Sequence, residues 1–283
     1  MSSPILVTGA AGRVGSESVK ALLSKGFSVR AASRSPEKIA KQPVVESIHL
    51  DYLNPVSVEQ ALSGVEAALL IAPPLDFEAP QKLSHFISFA AKKPGFHIVF
   101  ISAFGVDQNE QAPLRVLEQM LFKSGVKYTI LRPNFFMDNF TAGAAASSIK
   151  AEGIFRLSAD DAKTAFIAAS DIAAAVASAF ADKLYNKEYN LTGPAALDHH
   201  EVAALISSAC GKPVRYQSLP EDVLSKAMRD AGTPESIITY VNLLYGATRA
   251  GYMAAITDDV KRITGKFPIS FADFAKKHIS VWK

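Results

Sequence analysis

The stretch Thr8-Gly9-Ala10-Ala11-Gly12-Arg13-Val14-Gly15 constrains this chain more than any other. It follows a short apolar run, Ile5-Leu6-Val7, and leads into a helix-compatible segment over residues 16–25. Strand, glycine turn and helix in that order form a cradle for phosphate. Gly9 lets the chain turn sharply at the strand's end, Gly12 lets a pyrophosphate approach the backbone, and Gly15 lets the new helix pack close to the sheet. The helix start supplies N–H groups and a partial positive charge, which suit an anion. The spacing is GxxGxxG rather than GxGxxG, and a tight turn without a ligand is the competing reading. The context of a strand before and a helix after favours the cradle.

A chain of 283 residues can form one large α/β domain with a small second lobe. Hydrophobic residues make up 49% of it, enough for a sizeable core. The net charge is only +3 and the basic residues are scattered, so neither a nucleic-acid stripe nor a polybasic membrane patch is expected. Cys210 is the one cysteine, which rules out an internal disulfide and fits a reducing compartment. The first strand begins almost at once, leaving no room for a signal peptide. The longest apolar run, near residues 65–75, is too short to span a bilayer and contains Pro73 and Pro74. These features predict a soluble cytoplasmic protein that acts on a small molecule, with no nucleic-acid or membrane partner. They leave the oligomeric state open.

Beyond the glycine turn, residues 27–33 read as a second strand, and Gly26 ends the helix before it. NAD-preferring sites usually carry an acid about 20 residues after the glycines, bonded to the ribose 2′-hydroxyl. Here the strand end is Ser33-Arg34-Ser35 instead. Arg34 can stack on adenine and pair with a 2′-phosphate, with Lys38 assisting, so the expected cofactor is NADP(H). The bland alternative is a solvated surface arginine. Residues 44–50 form the third strand and end at Asp51, which either faces the adenine or caps the next turn. Residues 65–72 form a buried strand ending at Ala72-Pro73, and residues 81–93 form an amphipathic helix. Residues 96–101 form the fifth strand, ending at Ser102-Ala103-Phe104. A helix over residues 114–123 follows, then a sixth strand over residues 128–131, ending at Arg132-Pro133-Asn134-Phe135-Phe136-Met137.

Strands alternating with helices over this distance predict a doubly wound parallel Rossmann sheet. Its ligands sit beyond the carboxyl ends of the strands. The expected cofactor residues are therefore Thr8, Gly9, Gly12, Arg13, Val14, Gly15, Arg34, Asp51, Ala72, Pro73, Ser102, Ala103, Phe104, Pro133 and Phe135. The second half changes character. Ser170 is expected to cap a helix over residues 172–181, and residues 189–192 form a further strand. The rest predicts a smaller, mostly helical C-terminal substrate lobe. The expected division is 1–135 with 163–193 for the core, and 136–162 with 194–283 for the lobe. Met228, Tyr240, Leu244, Tyr245, Tyr252 and Met253 are candidates for an apolar pocket, with an ordinary helical core as the alternative. Phe136, Met137, Tyr240 and Tyr245 are the substrate residues expected. Asp198-His199-His200-Glu201 reads as a capping-box helix start, so no metal site is expected. Cys210 reads as a small packed side chain.

The Thr8–Gly15 turn resembles the TGxxGxxG of atypical short-chain dehydrogenases/reductases. Arg34, Ser102-Ala103, the run from Leu131 to Asn139, Ser170-Asp171-Ile172-Ala173 and Tyr189-Asn190-Leu191-Thr192-Gly193-Pro194 all fall where the NmrA-like branch has comparable segments. Within that branch the likeness is to triphenylmethane reductases and the festuclavine and agroclavine dehydrogenases. The resemblance implies an NADPH-linked reductase with a Rossmann core and a small substrate lobe. The branch also contains quinone reductases and cofactor-sensing regulators, so membership alone does not fix a reaction.

Ketone-reducing relatives carry a YxxxK pair on the helix after the fifth strand, and residues 114–123 contain no tyrosine. Carbonyl reduction needs a proton for the developing alkoxide. The expectation is therefore hydride transfer to a substrate that is already electrophilic: an iminium, a conjugated C=C or a quinone in specialised metabolism. No catalytic side chain is assigned. Two alternatives stand beside it, a non-redox isomerase or cyclase reusing the pocket and a redox-sensing regulator that binds cofactor without chemistry.

Overall fold

β1 (Ile5–Val7) is buried along its whole length, which accounts for its unbroken apolar sequence. The computed structural model describes residues 3–40, 42 and 44–283. After β1 come α1 (Arg13–Ser24), β2 (Val29–Ser33), β3 (Val45–His49), α2 (Pro55–Leu62), β4 (Ala67–Ile71) and α3 (Ala79–Ala91). Then follow β5 (His97–Ile101), α4 (Pro113–Ser124), β6 (Lys127–Pro133), α5 (Gly143–Glu152), β7 (Ile154–Leu157), α6 (Ala169–Ala181) and β8 (Lys187–Leu191). The remainder is α7 (His199–Cys210), β9 (Arg215–Ser218), α8 (Glu221–Asp230), α9 (Glu235–Arg249), α10 (Asp259–Thr264), α11 (Phe271–Lys277) and α12 (Ile279–Trp282).

The chain divides into two units. One comprises the described residues up to Pro133 with Ala169–Leu191 and Asp259–Gly265; the other comprises Asn134–Ala168, Thr192–Asp258 and Lys266–Lys283. The expected division differs at residues 163–168, which belong to the second unit, and at α10. That helix, expected in the C-terminal lobe, belongs to the first unit, where the Asp259 carboxylate accepts the Asn190 N–H at 2.7 Å.

The first unit is a seven-stranded parallel sheet in the order β3-β2-β1-β4-β5-β6-β8. The order reverses between β1 and β4, the switch point at which such sheets take ligands. The helices follow from apolar spacing. Leu83, Phe86, Ile87 and Ala90 are the buried stripe of α3. Asn54 caps α2, its side chain accepting the Val56 and Ser57 N–H groups, with Pro55 at the first helical position. Leu6, Leu70, Phe86, Phe96, Phe100, Leu117 and Leu121 share one core. Each such side chain contributes about 1.5–3 kcal/mol by burial.

α6 begins at Ala169, so Ser170 sits inside its first turn and is not the cap expected. Two residues before the helix, Ile167 forms an isolated parallel bridge with Phe136. β6 runs through Pro133, so Arg132 lies on the strand as expected and Pro133 ends it.

The second unit contains a small sheet that the sequence did not reveal. β7 pairs in parallel with β9, from Ile154↔Arg215 to Leu157↔Ser218. Each strand is four residues long and mixes polar with apolar residues, too short a pattern to register as a strand. Around it Phe140, Phe155, Phe166, Phe271, Phe274 and Trp282 build an aromatic core. Trp282 is fully buried, and its indole N–H donates to the Phe140 carbonyl at 2.7 Å. The capping box of α7 is present as expected. Asp198 accepts the Glu201 N–H at 2.8 Å and Glu201 accepts the Asp198 N–H at 2.9 Å. Cys210 is buried at that helix's end.

Candidate functional site

At the carboxyl edge of the first unit's sheet, Thr8 is fully buried and ties β1 to β4. Its N–H donates to the Leu69 carbonyl at 3.0 Å, and its hydroxyl oxygen accepts the Ile71 N–H at 2.8 Å. The chain then reverses at Gly9, whose φ of +61° is left-handed and suits glycine. The Ala10 N–H donates to Ala32 and the Gly12 N–H to Gly9, closing the turn. Gly12 is the N-cap of α1 and no side chain caps the helix there. A helix start without a side-chain cap suits an anion. A Cβ at Gly12 would meet the Gly9 oxygen at 3.2 Å, and one at Gly15 would meet it at 2.2 Å. The cradle therefore exists only because these positions lack side chains, and it fits a diphosphate. Arg13 is exposed beside it, while Val14 is buried in the helix face.

Arg34 follows β2 directly and is exposed. Among the described residues no carboxylate pairs with its guanidinium. Lys38 is exposed on the short turn after it. Asp51 follows β3, and its Oδ1 accepts the Leu53 N–H at 3.0 Å, which leaves its other oxygen unassigned to the turn. The neighbouring Tyr52 carries no signal in the sequence. Its hydroxyl donates to the Ile71 carbonyl at 2.9 Å, bracing the end of β4 from the end of β3. Burial pushes this phenol well above its usual range, with a hydrogen bond from Thr8 acting in the opposite sense, so it stays protonated. Ala72 and Pro73 follow β4 and are half-buried.

The ends of β5 and β6 are fastened by a buried network that sequence reasoning also missed. Ser102 is 5% exposed, and its hydroxyl donates to Glu118 Oε1 at 2.6 Å. Glu118 is wholly buried on α4, and Arg132 grips it with Nε and Nη2, both at 2.8 Å. Arg115 Nη1 adds a fourth contact at 3.0 Å. Arg132 also pairs with Glu188 on β8. Burial disfavours the charge on Glu118, but bonds from Arg132 and Ser102, the guanidinium charge and Arg115 outweigh it and hold the carboxyl below its usual range. Burial likewise opposes the charge on Arg132, yet Glu118 and Glu188 hold its pKa above the usual value. One signal was available: Glu118 lies four residues from Leu114 and next to Leu117, on the apolar face of α4. The Phe104 N–H donates to the Pro133 carbonyl at 3.0 Å, which fixes the Ser102-Ala103-Phe104 segment against the end of β6.

In the second unit, Asn134 is 2% exposed and organises the residues after it. Its side-chain oxygen accepts the Phe135 N–H at 2.8 Å and its amide donates to the Met253 carbonyl at 2.9 Å. Phe135 and Phe136 are half-buried. The Phe135 ring lies 6.2 Å from that of Tyr245 on α9, which also carries the partly buried Tyr240. Burial raises the Tyr245 phenol above its usual range, with Tyr216 adding to it. Met137 is 1% exposed and packs in the unit's core, where it also lines a small cavity with Phe166, Leu197 and Phe271. Of the wider apolar set, Met253 is buried and Tyr252 is exposed. Among the described residues no group of His, Cys, Asp or Glu is placed to hold a metal ion, and no helix is long and apolar enough to cross a membrane.

Proteins that set a glycine turn and helix start at the order reversal of a parallel sheet form the class of Rossmann-type dinucleotide folds, and this chain has that architecture. It belongs to the NmrA-like family, whose profile matches residues 1–252. It is 31% identical to an NAD(P)H azoreductase of Xenophilus azovorans, over 98% of this chain and 99% of that protein. It is 28% identical to an agroclavine dehydrogenase of Claviceps fusiformis, over 98% of each. The crystal structure of an NADPH-dependent quinone oxidoreductase from Escherichia coli, complexed with NADPH, superposes with a TM-score of 0.84 at 25% identity, covering 96% of this chain and 99% of that one.

Proposed function

We propose that this protein is an NADPH-dependent reductase of a small, apolar, electrophilic substrate, an iminium, a conjugated C=C or a quinone, in specialised metabolism. The coarse class is an NAD(P)H-dependent oxidoreductase of the NmrA-like type. It is supported by relatives named as an azoreductase and a dehydrogenase and by the NADPH-bound quinone oxidoreductase. The observation that carries the cofactor choice is Arg34, an exposed guanidinium directly after β2 where NAD sites place an acid.

When bound, NADPH supplies the hydride. The chain's own residues bind and orient. The backbone of Thr8, Gly9, Gly12, Arg13, Val14 and Gly15 takes the diphosphate at the start of α1. Arg34, with Lys38 beside it, pairs with the 2′-phosphate. Asp51, Ala72, Pro73, Ser102, Ala103, Phe104, Pro133 and Phe135 shape the rest of the cofactor site, and Phe136, Met137, Tyr240 and Tyr245 offer apolar surface to the substrate. No side chain is assigned as an acid, which suits acceptors whose product is protonated by solvent.

The test is to incubate the pure protein with NADPH and a panel of iminium, quinone and enone acceptors. Acceptor-stimulated loss of nicotinamide absorbance is expected with at least one of them. Loss with none overturns the proposal, and substrate turnover with NADPH unchanged in amount favours the isomerase reading instead.

A further inference from the structure

We infer that Ser102 serves the bound cofactor as a hydrogen-bond acceptor, with Glu118 as the positioning residue that fixes this polarity. A serine hydroxyl has one proton and two lone pairs. In this structure the proton is committed: the O–H points to Glu118 Oε1 at 2.6 Å, the length of a charge-assisted bond. Glu118 cannot return a proton, because it is an acceptor alone when ionised and Arg132 and Arg115 fill its remaining lone pairs. The Ser102 N–H is also taken, by the Leu131 carbonyl at 2.8 Å. What Ser102 retains at the carboxyl end of β5 is the lone-pair side of its oxygen.

This inference rests on the NADPH reading above. In a sheet of this order the two halves of a dinucleotide lie on either side of the reversal. Arg34, after β2, marks the adenosine half. β5 lies on the opposite side, beyond β4, and its end belongs to the nicotinamide riboside half. The groups there that can donate to an acceptor are the ribose hydroxyls and the carboxamide NH₂. A serine held in this way cannot protonate a substrate. Glu118 stands on the helix where ketone-reducing relatives keep their tyrosine and lysine, and Arg132 reaches it from β6, so that helix holds the serine's proton instead of supplying one.

The test uses the full chain and two probes, NADPH and adenosine 2′,5′-bisphosphate, which stops short of the nicotinamide half. Binding of NADPH to the wild type establishes the cofactor reading; a failure there strikes that reading, whereas the variants test the serine. Ser102→Ala is expected to weaken NADPH by roughly three- to tenfold, the worth of one hydrogen bond, and to leave the bisphosphate unchanged. Ser102→Thr, which keeps the hydroxyl, is expected to restore NADPH affinity. Glu118→Gln is expected to give the same split between the probes; should that variant not fold, the Ser102 pair decides alone. The pH profile of kcat should keep its shape in Ser102→Ala, since no proton passes through the serine. The inference is overturned if Ser102→Ala binds NADPH like the wild type, if both probes weaken together, or if the variant loses an acid limb from the profile.

Discussion

A Cβ built on Gly15 lies 2.2 Å from the Gly9 carbonyl oxygen and 2.9 Å from the Ala10 Cα. α1 is thus pressed against the turn that precedes it, and the approach is backbone to backbone. No rotamer change can relieve such a contact. The two glycines therefore act as a pair: Gly9 turns the chain through left-handed φ, and Gly15 lets the helix close over the turn.

Gly15→Ala should damage the fold itself. The expected result is a fall in stability of about 1–3 kcal/mol or more, read as a lowered thermal midpoint, with NADPH affinity lost alongside. Gly12→Ala is the milder change, since its Cβ meets the Gly9 oxygen at 3.2 Å. That variant should melt close to the wild type while binding NADPH more weakly, because the methyl group enters the phosphate's path. Equal melting of all three proteins would contradict the packing argument.

Arg34→Ala should cost NADPH about tenfold or more in affinity, about 1.4 kcal/mol, while leaving NADH nearly unchanged. The measurement is a pair of titrations on each protein. An unchanged ratio of the two affinities would mean that Arg34 is only a solvated surface residue.

The contrast between these glycines and Glu118 explains how far the sequence could be read. Gly9, Gly12 and Gly15 act through their neighbours in the chain, so spacing alone announced them, and the alternation of strands and helices announced the sheet. Glu118 and Arg132 act across the fold, fourteen positions apart, and a lone carboxylate on a helix says nothing of which cation it will meet. β7 and β9 stayed hidden for a related reason, since each is a strand only by virtue of a partner about sixty residues away.

Acid should destabilise the protein through two buried histidines. His97 is 4% exposed and His199 is 2% exposed; desolvation lowers each to a pKa of about 4, with Lys127 adding to it at His97 and Asp198 partly opposing it at His199. The unfolded chain takes up these protons first, near 6.5. Stability from the neutral rings is therefore full above about pH 6.5 and is lost progressively as pH falls to about 4. The loss is on the order of 3 kcal/mol for each ring. Denaturant midpoints measured between pH 7 and pH 4 should fall steadily, and His97→Gln should reduce the slope. A flat profile in this window would contradict the burial of both rings.

Trp282, at the penultimate position, should be a strong anchor of the second unit. Trp282→Ala is expected to cost about 3–5 kcal/mol, from the lost burial and the cavity left behind. Trp282→Phe should cost about 1–3 kcal/mol, because the Phe140 carbonyl loses the indole N–H. Denaturant unfolding of the two variants gives both figures, and a Trp282→Ala protein as stable as the wild type would refute the packing described.

The central claim is that the glycine turn at the start of α1 holds the diphosphate of a nicotinamide dinucleotide and that Arg34 selects the 2′-phosphorylated form. Isothermal titration of the pure chain with NADPH and with NADH tests it most directly. The account predicts saturable one-site heat with NADPH and binding to NADH weaker by about tenfold or more. No heat with either dinucleotide, or tighter binding of NADH, would contradict it.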